Sequence, residues 1–152
     1  MSDALPRQGR LAAIDYGTVR IGVAITDPEQ RLASPLEIYT RRNPAADAAW
    51  ITQLVSSERI AGLVVGLPVH TTGGESQKSA EARRFAAWLS ETTNLPVRLF
   101  DERFTTAHAE SLLQDAGLTK KQRKERLDKL AAQILLAAYL ESSRTPAEPG
   151  AL

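Results

Sequence analysis

Apolar and polar positions along the chain alternate with a period that changes from segment to segment, and each change predicts an element. Leu11 to Ile14 is an unbroken apolar run ending in Asp15, and Ile21 to Thr26 is a second run rich in β-branched residues; both read as strands. Asp27-Pro28-Glu29-Gln30 has turn chemistry, with proline where a fixed φ is wanted. Leu32 to Tyr39 returns as a third strand, in which Pro35 predicts an edge position or an irregularity. Short connections make these strands an antiparallel meander. The period then becomes helical. Asn43-Pro44 is an N-cap followed by proline at the first helical position, and Trp50, Ile51, Leu54 and Val55 continue a helix to about Ser57.

Leu63 to Leu67 has the composition of a buried strand, closed by Pro68; Val69 to Ser76, with Gly73-Gly74, reads as a loop. Ala82, Phe85, Ala86 and Leu89 form the apolar stripe of a helix over Ser79 to Leu89. Val97 to Phe100 is a short strand running into Asp101-Glu102, and Thr106 to Ala116 predicts a helix stopped by Gly117. The last helix starts at Thr119, with Gln122 completing a capping box, and carries Leu127, Leu130, Ala131, Ile134, Leu135 and Ala138 on one face. The resulting order is β-β-β-α-β-α-β-α-α, an α/β domain over residues 10–141, preceded by a flexible segment (1–9) and followed by a frayed tail (142–152) rich in proline and glycine.

A chain of 152 residues with 43% hydrophobic and 24% charged side chains is long enough to bury its own core, which excludes disorder throughout. The absence of cysteine excludes disulfides, zinc–thiolate sites, iron–sulfur clusters and a cysteine nucleophile. No apolar run approaches a membrane span, and the first ten residues have no apolar signal core, so the expected location is the cytoplasm. With a net charge of +1, any nucleic-acid signal has to be local.

Three acidic positions sit in settings that are odd for surface charges. Asp15 ends the first, wholly apolar strand, and Asp101-Glu102 end another; functional groups in open α/β sheets gather at the carboxyl ends of strands. Strand alternation lets only one of Asp101 and Glu102 aim at Asp15, and does not choose between them. Asp128 shares a helix flank with Ala131, Ala132 and Leu135. A divalent cation is one partner that satisfies several such carboxylates, and oxygen donors suit Mg²⁺ or Mn²⁺. Taken singly, each acid is as well explained as a turn residue, a helix cap or a solvated charge. Asp15-Tyr16-Gly17-Thr18 reads either as a phosphate-binding turn or as a metal-binding carboxylate with a sharp turn behind it.

Lys120, Lys121, Arg123, Lys124, Arg126 and Lys129 crowd the approach to Asp128; Arg41-Arg42 and Arg83-Arg84 form two smaller basic pairs. Such a run is a solvated helix face or a grip on a phosphate backbone beside a metal site. His108 reads as surface or packing, His70 as a remote substrate contact, and Trp50 and Trp88 as core.

Four blocks together, AAIDYGTVRIGVAITD (Ala12 to Asp27), LVVGLP (Leu63 to Pro68), FDERFTT (Phe100 to Thr106) and DKLAAQILLAAYL (Asp128 to Leu140), resemble the YqgF/RuvX family of the RNase H-like superfamily. The resemblance spans Leu11 to Leu140 and implies an RNase H-like fold: a central mixed five-stranded sheet, its first three strands antiparallel, flanked by helices. It implies a metal-dependent nuclease whose acidic triad falls on Asp15, Glu102 and Asp128, with Asp101 in reserve for the middle position. Two Mg²⁺ or Mn²⁺ ions would be held by that triad, Asp15 bridging them, and would clamp the attacking and leaving oxygens of an in-line displacement. Thr18, Arg20, Arg103 and Thr105 would position phosphate, and Lys120, Lys121, Arg123, Lys124 and Arg126 would supply salt-dependent affinity.

The substrate implied is the 5′ end of pre-16S rRNA or, by similarity to RuvC, a four-way Holliday junction. The partner is then a structured RNA or branched DNA, no membrane is involved, and symmetric junction cutting brings a homodimer with it. Two other readings compete. An ATP phosphate loop of the actin-like kind is opposed by length, since such proteins close two domains on a nucleotide. A non-catalytic nucleic-acid-binding factor would use the same basic face without needing the acids.

Overall fold

The computed structural model describes residues 5–68, 77–102 and 119–144; within the last stretch the side chains of Lys124, Asp128 and Arg144 lie outside that description. The predicted loop over 69–76 with His70, and the predicted helix over 106–116 with His108, also fall outside it. The strands are β1 (Arg10–Asp15), β2 (Arg20–Thr26), β3 (Ala33–Thr40), β4 (Ile60–Leu67) and β5 (Val97–Asp101). The helices are α1 (Pro44–Glu58), α2 (Gln77–Thr93) and α3 (Lys120–Arg144).

The five strands form one mixed sheet in the order β3-β2-β1-β4-β5. β1–β2 and β2–β3 pair antiparallel, as the short turns require, whereas β1–β4 and β4–β5 pair parallel across helical connections. Pro35 sits where its missing N–H does least harm. β3 is an edge strand, and its register with β2 slips between Val23 and Ala24, which face Glu37 and Pro35.

Alternation along β1 feeds two cores. Ala12 and Ile14 pack with Ile51, Leu54, Leu63, Val65, Phe85 and Leu89 beneath α1 and α2. Leu11 and Ala13 pack with Val64, Phe100, Leu135, Leu136 and Tyr139 beneath α3. The sheet is therefore covered on both faces, which is why β1 and β4 read as unbroken apolar runs.

The local signals at helix ends are realised. Asn43 accepts from the Ala46 N–H at 2.8 Å with Pro44 at the first position. At α3, the Gln122 N–H donates to the Thr119 hydroxyl at 3.1 Å and the Thr119 N–H to the Gln122 side-chain carbonyl at 2.9 Å, a closed capping box.

Hydrogen bonds hold both ends of the described chain. Residues 5–9 are tied to the β2–β3 turn: the Gln30 amide donates to the Pro6 and Gly9 carbonyls, both at 2.9 Å, and the Gly9 N–H to the Pro28 carbonyl at 2.8 Å. At the other end α3 runs through Arg144, three residues into the expected tail; the Ser142 and Ser143 hydroxyls bond back to the Tyr139 and Leu140 carbonyls. Residues 145–152 lie outside the description. Among the described residues no helix is long and apolar enough to cross a membrane.

Among the described residues one charge is fully inside. Asp47, in the first turn of α1 and 2% exposed, accepts from the Tyr39 hydroxyl at 2.7 Å, the Arg42 N–H at 3.0 Å and the Arg41 guanidinium at 3.2 Å. Burial pushes its carboxyl up, but those donors outweigh burial and hold it below the ordinary value of 3.8. A depressed folded-state pKa means stability that is present above the unfolded value and lost as pH falls through the folded one. Asp47→Asn is therefore expected to lower stability by about 2 kcal/mol at neutral pH. In urea titrations the difference from wild type should shrink below about pH 4; a gap independent of pH would mean that the carboxylate charge contributes nothing.

Candidate active site

The sheet frame decides which acids meet. Leu11 and Ala13 of β1, Val64 of β4 and Phe100 of β5 all point to the α3 face. Continuing each alternation places Asp15, Gly66 and Glu102 on that same face, at the carboxyl ends of three neighbouring parallel strands. Asp101 continues the other alternation, that of Val97 and Leu99, whose side chains join the core under α1 and α2.

Glycine makes the approach of the two acids possible. A Cβ on Gly66 would collide with the Glu102 carboxylate oxygen and lie 3.1 Å from its Cγ and 3.2 Å from its Cδ. The Glu102 side chain thus lies back across the bare backbone of β4 toward Asp15. On the opposite side Gly22 of β2 pairs with Asp15, and a Cβ there would stand 3.6 Å from the Asp15 Cβ and 3.8 Å from that of Ala132 on α3. Asp15 therefore projects over a floor with no side chain on either neighbouring strand.

Cavities open on both sides of Asp15. One, of about 390 Å³, is bounded by Asp15, Thr18, Gly66, Lys78, Glu81 and Glu102. The other, of about 540 Å³, is bounded by Asp15, Thr18, Arg20, Gly22, Glu125 and Lys129. Burial pushes the half-buried Glu102 carboxyl above the ordinary value of 4.5, the charges of Asp15 and Asp101 push it the same way, and Lys78 counters them. Crowded carboxylates of this kind are relieved by a cation, and their hard oxygen donors fit Mg²⁺ or Mn²⁺. Among the described residues no group of three metal-ligating side chains is assembled. Asp128 belongs to α3, one turn before Ala132, and its side chain lies outside the description.

The remaining sequence-derived candidates divide. Thr18 and Arg20 border the cavities. Lys120, Lys121 and Arg123 are exposed on the first turns of α3, and Arg126 is half-buried. Arg103 and Thr105, like the Lys124 side chain, lie outside the described residues. Sequence reasoning passed over Gly66, Lys78 and Glu81 as site residues. Only Gly66 carries a signal: a glycine within the apolar run Leu63 to Leu67 marks a close approach.

The chain matches the family model described as RuvX: Holliday junction resolvase over residues 9–142. A Rhodopirellula baltica protein named "Putative pre-16S rRNA nuclease" is 57% identical over 142 residues, 93% of this chain and 82% of that protein. A Koribacter versatilis protein of the same name is 40% identical over 133 residues, 88% and 87% of the two chains. Two solved structures share the fold. T. thermophilus RuvC in complex with Holliday junction substrate gives a TM-score of 0.55 at 16% identity, over 90% of this chain and 97% of that one. Fowlpox virus resolvase with its substrate Holliday junction DNA gives 0.51 at 13% identity, over 90% and 99%. The sheet order, the acids at its strand ends and the family match agree: this chain is a member of the RuvX family.

Proposed function

We propose that the chain is a metal-dependent nuclease that hydrolyses phosphodiester bonds in nucleic acid and processes the 5′ end of pre-16S rRNA. The observation that carries this reading is the convergence of Asp15 and Glu102 over Gly66 at the carboxyl edge of the parallel strands. The relatives' shared name supports rRNA as the substrate. The family description supports a second reading, resolution of four-way DNA junctions, which brings a homodimer with it because symmetric cutting needs two sites.

Asp15, Glu102 and Asp128 would hold the cations, Asp15 from the centre of the floor and the other two from β5 and α3. Two bound ions would supply a lowered water pKa and a clamp on the attacking and leaving oxygens. The chain's own groups do the rest. Arg20 and Lys129 face the cavity beside Asp15 and are placed to take phosphate oxygens, and the Thr18 hydroxyl borders both cavities. Lys78 sets a positive charge beside Glu102 and favours its ionised, cation-holding form. Lys120, Lys121, Arg123, Lys124 and Arg126 would extend the phosphate grip along α3, giving affinity that falls steeply with salt.

The test compares an RNA carrying the 5′ precursor segment with a four-way DNA junction at fixed salt. Each is incubated with Mg²⁺, with Mn²⁺ or with chelator. Cutting is expected with either ion, on the RNA in preference, and none with chelator. Glu102→Gln should abolish it and Asp101→Asn should leave it within a few-fold. Binding of both substrates with no cutting of either would replace the nuclease by a binding factor.

A further inference from the structure

A cavity of about 450 Å³ lies beside the site just described; Tyr16, Arg41, Arg84, Phe85 and Trp88 line it together with Asp47 and Glu81. Tyr16 and Glu81 also border the Asp15–Glu102 cavity, so the two are neighbours. The basic pairs Arg41-Arg42 and Arg83-Arg84, far apart in sequence, each contribute one arginine to its lining.

Arg41 is built in rather than merely present. Its backbone N–H donates to Val19 at 2.8 Å, its Nε to buried Asp47 at 3.2 Å and its Nη1 to the Gly17 carbonyl at 3.4 Å. Its guanidinium carbon stands 5.6 Å from the Tyr16 ring centre and 5.9 Å from that of Phe85. Among the described residues two of its five N–H groups are engaged, which fixes the orientation of the guanidinium. Trp88, a core position by its place on the α2 stripe, packs against the core but stays half-buried, its ring 5.6 Å from Phe85 and at 25° to it, and it forms part of the cavity wall. Arg84, one turn earlier on α2, is exposed beside it.

Aromatic walls beside two arginines suit a base with its phosphate, splayed out of a helix. A paired base offers no free face to stack. We infer that this cavity is a subsite for an unpaired nucleotide of the substrate strand, its base against Trp88 and Tyr16 and its phosphate on Arg41 and Arg84. The inference rests on the nuclease reading for what the strand is. It adds that the enzyme distinguishes single-stranded from paired nucleic acid next to the cut.

The test uses the full chain and fluorescently labelled RNA: a blunt duplex, and the same duplex with a single-stranded adenylate extension at its 5′ or 3′ end. Trp88→Leu keeps apolar bulk against Phe85, and Arg84→Ala changes an exposed residue that the fold does not need. Each should weaken binding of an extended duplex, about tenfold for Trp88→Leu and severalfold for Arg84→Ala, with the blunt duplex unaffected. The extended duplex should also quench tryptophan fluorescence in the wild type but not in Trp88→Leu. Equal affinity of the wild type for blunt and extended duplexes, or equal loss on both in the variants, would overturn the subsite. The same binding comparison in Asp15→Asn separates the two ideas. Retained preference for the extension there supports the subsite even if cleavage assays reject the nuclease, and a preference lost with Asp15 would place the unpaired strand elsewhere.

Discussion

Asp15→Asn is expected to reduce cleavage by at least about a thousandfold, some 4 kcal/mol of transition-state stabilisation, while making the metal-free protein more stable. The opposite signs have one cause. Asp15 stands at the centre of the glycine floor, where its charge and that of Asp101 add to the burial that already raises the Glu102 carboxyl. Asparagine keeps the shape and removes the charge, so the ionised form of Glu102 is penalised less. A carboxyl whose folded pKa is raised costs stability above that pKa and nothing once it is protonated in both states. The gain should be seen at neutral pH as a rise in melting temperature. It should vanish as pH falls to where Glu102 holds its proton.

Adding Mn²⁺ should reverse the order, because only the wild type gains the stability linked to binding the ion. Melting curves with chelator and with Mn²⁺, run beside the cleavage assay, make both comparisons. Retained cleavage in Asp15→Asn would remove Asp15 from the chemistry. A metal-free variant less stable than the wild type would show that the interactions Asp15 makes in the fold outweigh its repulsion of Glu102.

Much of this site is legible along the sequence because its elements are local. The apolar runs of β1 and β4, the proline in edge strand β3, the Asn43 cap and the Thr119–Gln122 box each state their structure within a few residues. The choice between Asp101 and Glu102 is not local. Alternation says that the two face opposite ways, but which of them faces Asp15 depends on how β5 is registered against β4 and β4 against β1. Once Phe100 is seen to share a core with Ala13 and Val64, Glu102 follows.

The same reasoning explains what the sequence concealed. Asp47 looks like an ordinary first-turn acid on α1, and only the fold brings Tyr39 and Arg41 onto it. The clamp of Gln30 on Pro6 and Gly9 spans more than twenty residues and rests on a left-handed backbone at Gln30 that no local pattern announces. Trp88 reads as core because a helical stripe records which face is apolar and not how far the neighbouring layer extends over it.

Gly66→Ala tests the geometry rather than the chemistry, and is expected to lower cleavage by about a hundredfold, close to 2.7 kcal/mol, with the fold retained. The added methyl meets the far end of the Glu102 side chain, which is flexible and can swing away, and no backbone has to move. The cost to stability should therefore stay near 1 kcal/mol. Glu102 would no longer lie across β4 toward Asp15, so Mn²⁺ affinity, read from the metal-dependent rise in melting temperature, should fall with activity.

Gly22→Ala is the matched control. It adds the same methyl on the other side of Asp15, at ordinary contact distance from Asp15 and Ala132, and should cost less than tenfold. Equal losses in the two variants would point to a general narrowing of the cavities. Full cleavage by Gly66→Ala would mean that Glu102 does not act from across β4, and would pass the middle carboxylate to Asp101.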